Sequence, residues 1–124
     1  MRLWLFIAAI NGLLAVAAGA FGAHALQGRL DAHGLQTFET GARYQMSHAL
    51  AIGIAAFAMR ESVAASAAQI AAALFLIGIV LFCGSLYALA LSGARPFAFV
   101  TPFGGAAFLA GWIALAFAAT RLRA

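Results

Sequence analysis

The strongest constraint on this chain is its shortage of charge. Seven arginines and three acidic residues are its only charged side chains, 8% of 124 residues, while 66% are hydrophobic. A soluble domain covers its core with about 25% charged residues. These few cannot clothe a soluble fold of this length, so the sequence predicts an integral membrane protein.

Roughly 20 apolar residues carry a helix across about 30 Å of hydrocarbon, and four such segments can be drawn. Their expected spans are 3–25, 40–59, 64–92 and 98–120, forming an all-α bundle of four transmembrane helices as a single domain. The second has a polar extension reaching back toward Gln36, which leaves residues 26–36 as the first connection. Short connections make sequential helices antiparallel. Arg2 and the small residues of "AVAAGA" resemble a cleavable signal, but the apolar run continues through "GAFGAHAL", and a retained span is expected. Gly93 and Pro96 end the third helix. Thr101–Pro102 reads as an N-cap with proline in the first turn, and a helix from Phe97 kinked at Pro102 is the alternative.

Arginine counts set the expected orientation. Arg2, Arg60, Arg121 and Arg123 fall on one side, and Arg29, Arg43 and Arg95 on the other. The bias places both termini in the cytoplasm. The net charge of +4 does not point to nucleic acid, because the arginines are scattered singly instead of forming a basic face. They are better read as topology markers and headgroup contacts. Cys83 is the only cysteine, so it forms no intrachain disulfide and is expected to be an inert buried thiol.

In lipid, close approach of small residues carries much of helix packing. Helix 1 offers Ala8, Gly12, Ala15, Gly19 and Ala23 on one face, an expected contact stripe, since its glycines would otherwise cost helix stability without return. Helix 4 offers Gly104, Gly105 and Gly111. "GGAAF" in that helix lacks the lysine and strand context of a phosphate loop.

Counting helical rise places His24, Tyr44, His48, Ser85, Tyr87 and Thr101 toward one end of the bundle. The other half holds little beyond Asn11, Ser66 and Gln69. On helix 2, Gln36, Thr40, Arg43, Tyr44, Ser47 and His48 recur at steps of three and four as one polar stripe. These residues predict a shallow polar pocket with that stripe as one wall. Ionisable groups at membrane depth are functional candidates, so His24, Tyr44 and His48 raise haem, metal or quinone-like ligation as the alternative to a structural cluster. Asp31, Glu39 and Glu61 lie outside the spans, which disfavours carboxylate hydrolysis or proton relay. A transporter would need a polar path continuing past His48, and none is evident. The leading expectation is a non-catalytic membrane protein without cofactor, an accessory or assembly subunit. Its partners would be the bilayer and either a second copy or a larger membrane protein, not nucleic acid.

"GAFGAHAL" (19–26), "YQMSHAL" (44–50), "FCGSLYAL" (82–89) and "TPFGGAAFLAGW" (101–112) together resemble a small bacterial inner-membrane family of unknown function that includes YgdD and YwdK. The resemblance covers nearly the whole chain in order and spacing. It implies an inner-membrane protein of several spans with no assigned activity. The family pattern falls on Gly19, Gly22, His24, Tyr44, His48, Gly84, Ser85, Tyr87, Thr101, Pro102, Gly104, Gly105 and Gly111. Cys83 departs from it, standing where the resemblance implies serine, which argues against essential thiol chemistry.

Overall fold

The computed structural model describes residues 1–123. Four helices run along the chain: α1 (Arg2–His24), α2 (Ala32–Ala58), α3 (Ala65–Ser92) and α4 (Thr101–Ala119). A 3-10 turn, Arg95–Phe99, precedes α4. By length and apolarity α1, α3 and the segment Arg95–Ala119 are each able to cross a membrane. The fourth helix, α2, is long enough but polar in its first half. This is an all-α membrane bundle.

Local chemistry explains the boundaries and moves some of them. The first helix ends at His24, and Leu26 turns back to donate its N–H to the Phe21 carbonyl. Gly28 then takes a left-handed φ of 77°, which costs glycine little and other residues more. Asp31 accepts the Gly34 N–H at 2.7 Å and caps α2. This helix therefore begins at Ala32, well before residue 40, and the first connection is shorter than 26–36. Gly93 closes α3 in the left-handed conformation (φ 69°), as its position predicts.

The choice between Phe97 and Pro102 resolves into two pieces. The 3-10 turn carries Pro96, and a separate helix opens at Thr101 with Pro102 in its first turn. Thr101 is not the cap expected from sequence. Its hydroxyl faces Ser85 and the Phe97 carbonyl, leaving Val100 at the cap position.

α2 is the centre of the molecule, with α1 on one flank and α3 on the other, and α4 packs against α3. The α3–α4 seam keeps one antiparallel register in steps of three and four. A Cβ on Gly111 would meet the Phe75 ring at 2.7 Å, one on Gly78 would enter the Phe108 ring, and one on Gly104 would strike the Phe82 backbone. Each phenylalanine occupies the space opposite a glycine. Gly105 lies beside the seam, in ordinary contact range of the Phe82 ring. Residues Ile79–Cys83 widen α3 into a single π turn, with Cys83 fully buried in the core.

The α1 stripe behaves differently. A Cβ on Gly12 or Gly19 would meet nothing within 4 Å. The tight glycine of this helix is Gly22, where a Cβ would touch the Phe38 ring at 2.9 Å. Gly12 and Gly19, expected on a contact stripe, make no close approach within the chain. They open outward beside α2 because the inner face of α1 passes through Asn11 and Ala15, its two buried residues.

Candidate functional site

The buried face of α2 runs through Phe38, Gly41, Ala42, Gln45, His48, Ala49 and Ile52. That spacing turns Gln36, Arg43, Tyr44 and Ser47 outward. Their hydroxyl-bearing neighbours satisfy themselves locally: Thr40 donates to the Gln36 carbonyl at 2.9 Å and Ser47 to the Arg43 carbonyl at 3.0 Å. Arg43 pairs with Glu39 at 3.1 Å on the exposed surface, a contact of small energetic value. The polar stripe is mostly an outer face, and the predicted pocket wall is corrected on this point.

Tyr44 and His48 line one recess with Phe82, Phe108 and Trp112, and three separate polar contacts lie between the helices. The longest is a chain through three helices. Tyr87 Oη donates to Gln45 Oε1 at 2.7 Å, Gln45 Nε2 donates to Asn11 Oδ1 at 3.1 Å, and Asn11 Nδ2 donates to the Ile7 carbonyl at 3.0 Å. Gly41 makes room for the phenol, since a Cβ there would meet the Tyr87 ring at 2.9 Å. In hydrocarbon an unpartnered carboxamide is costly, and here each is matched by the next helix.

The second contact joins α3 to α4. The Ser85 and Thr101 hydroxyls lie 2.6 Å apart, and Ser85 also donates to the Phe82 carbonyl at 2.9 Å.

The third centres on His48, which is 5% exposed. Trp112 Nε1 lies 3.1 Å from His48 Nε2, and His48 Nδ1 lies 2.8 Å from the Tyr44 carbonyl. An indole N–H can only donate, so Nε2 accepts and the ring proton sits on Nδ1, directed at the carbonyl. The imidazole stacks on Phe108 with centroids 3.6 Å apart and planes 11° off parallel. Both ring nitrogens are occupied inside an aromatic box.

His24 joins none of these contacts. It is exposed at the end of α1, level with the start of α2, while His48 lies 16 residues further on, about 24 Å of helical rise. The two histidines do not form a ligand pair. Among the described residues no group of three or more His, Cys, Asp or Glu side chains is placed to hold a metal ion. Tyr44, 42% exposed at the bundle edge, lies nearly parallel to the His48 ring (centroids 5.9 Å, 13°) and packs tilted against Phe82 (4.6 Å).

Asn11, Gln45 and Trp112 complete these contacts without figuring among the candidates. Asn11 had a readable signal, since an amide within an apolar span must find a partner. Gln45 also had one, falling on the face of Ala42, Ala49 and Ile52. Trp112 had no such signal, because an aromatic residue in an apolar helix reads as packing.

The family model described as a protein of unknown function (DUF423) matches residues 18–105. The Escherichia coli K12 inner membrane protein YgdD is 47% identical over 123 residues, covering 98% of this chain and 92% of its own. The Bacillus subtilis membrane protein YwdK is 40% identical over 121 residues, 98% of each chain. A Haemophilus influenzae membrane protein is 43% identical over 115 residues, 92% of this chain and 90% of its own. No solved structure matches.

Proposed function

The chain belongs to the DUF423 family of proteins of unknown function, and from that membership we propose a non-catalytic accessory or assembly subunit of the bacterial inner membrane. In this reading the chain crosses the bilayer several times with both termini in the cytoplasm. It carries no resident cofactor. It acts by packing against a second copy or a larger membrane protein.

The observation that carries this reading is how the polar groups are used. Asn11, Gln45, Tyr87, Ser85, Thr101, His48 and Trp112 are bonded to one another across helices. Among the described residues no buried side-chain nitrogen or oxygen lacks a partner. This is the use expected of polar side chains that join membrane helices. Meanwhile only 11% of the apolar window of α1 is buried within the chain, and Leu3, Phe6, Leu13 and Val16 lie exposed along it.

Extraction in mild detergent followed by native mass measurement tests the proposal. The expected result is a mass above that of one chain, from a second copy or a co-purifying protein, reduced to one chain by Gly19→Leu on the open side of α1. A strictly monomeric wild-type protein with nothing co-purifying overturns it.

A further inference from the structure

The end of the bundle that carries the first connection holds a recess unrelated to the polar contacts inside. Arg29 enters it from the first connection, His33 and Thr37 from the first turns of α2, and Arg95 from the start of the 3-10 turn; the last residues of α3 form the floor. We propose that this recess binds the phosphate of an anionic phospholipid headgroup.

Charge is the first argument. Two arginines from connections far apart in sequence line one recess. Neither is paired with a carboxylate, since the ion pair among the described residues is Arg43 with Glu39. Asp31 also lines the recess, with its Oδ1 accepting the Gly34 N–H at 2.7 Å, and its single negative charge leaves the two arginines in excess. In the floor, the Leu89 carbonyl accepts from the Gly93 N–H. With two arginines against one carboxylate the recess keeps a net positive charge and guanidinium donors, which suits a phosphate.

Surroundings are the second argument, and they select a lipid over free phosphate. Directly after Arg95 the 3-10 turn presents Phe97 and Phe99, the latter 76% exposed, and Leu91 is exposed at the end of α3. A phosphate on the arginines leaves acyl chains free to run down this apolar flank. A choline headgroup would bring its own cation against Arg29 and Arg95, so an anionic headgroup is favoured over a zwitterionic one.

The test uses full-length protein in nanodiscs of equal parts phosphatidylglycerol and phosphatidylcholine, with retained lipids counted by native mass spectrometry. Wild type is expected to retain phosphatidylglycerol in preference to phosphatidylcholine. The double variant R29Q/R95Q should lower that retention about tenfold or more, from the attraction carried by each basic side chain near a membrane surface. R29K/R95K should keep most of it, and R60Q/R121Q, at the other end of the bundle, should leave it unchanged. Excess inorganic phosphate should not displace the lipid. Equal retention by R29Q/R95Q and wild type overturns the site. Displacement of the lipid by inorganic phosphate overturns the lipid assignment in favour of a free phosphate.

Discussion

His48 shows how a residue can look like a ligand and serve as a joint. Its Nε2 takes the Trp112 proton and its Nδ1 faces the Tyr44 carbonyl, so it fixes α2 to α4 instead of offering a lone pair to an ion. The Asn11–Gln45 bond does the same for α1 and α2. A double-mutant cycle of Asn11→Ala and Gln45→Ala, read by denaturant unfolding in detergent, should give a coupling of about 1 kcal/mol, the scale measured for hydrogen bonds between membrane helices. Additive losses would mean that the two amides do not bond. Depth counting brought Ser85 and Thr101 to the same end of the bundle, where they pair. The same counting separated Asn11 from Tyr87, because it follows backbone height and ignores reach. A tyrosine and a glutamine side chain together bridge that difference in level.

Between elements, the meaning of a glycine depends on what lies opposite. Gly78 and Gly111 each receive a phenylalanine ring from the facing helix and Gly104 receives the Phe82 backbone, whereas Gly12 and Gly19 receive nothing from within the chain. Gly78→Ala and Gly104→Ala should each destabilise by roughly 1–3 kcal/mol, the usual cost of overfilling a packed site. Gly12→Ala should be neutral or stabilise by up to about 1 kcal/mol through helix propensity. Thermal unfolding in one detergent would separate the two classes, and equal losses would contradict the seam. Sequence spacing revealed the glycines but not their partners, since an alanine-rich chain has small stripes on many faces. The start of α2 was obscured for a related reason. Apolar content marks where hydrocarbon begins, while Asp31 marks where the helix begins, and here the helix starts first. The π turn at Ile79–Cys83 has no proline or glycine within it to announce it.

At the scale of the molecule, α1 lies against α2, and α2 carries the contacts onward to α3. Labelling of single introduced cysteines in intact cells checks the proposed orientation: Gln27→Cys should react from outside, and Ser62→Cys only after the membrane is opened. The reverse pattern would invert the topology. The Asn11–Gln45–Tyr87 chain also has a consequence in time. A ribosome delivers Asn11 first, and its side-chain donor is satisfied at once by the Ile7 carbonyl of its own helix. Its oxygen then waits 34 residues for Gln45, whose own oxygen waits another 42 for Tyr87. If the helices enter the bilayer in chain order, α1 and α2 each do so with one side-chain acceptor still unfilled, and the helix that follows supplies its donor.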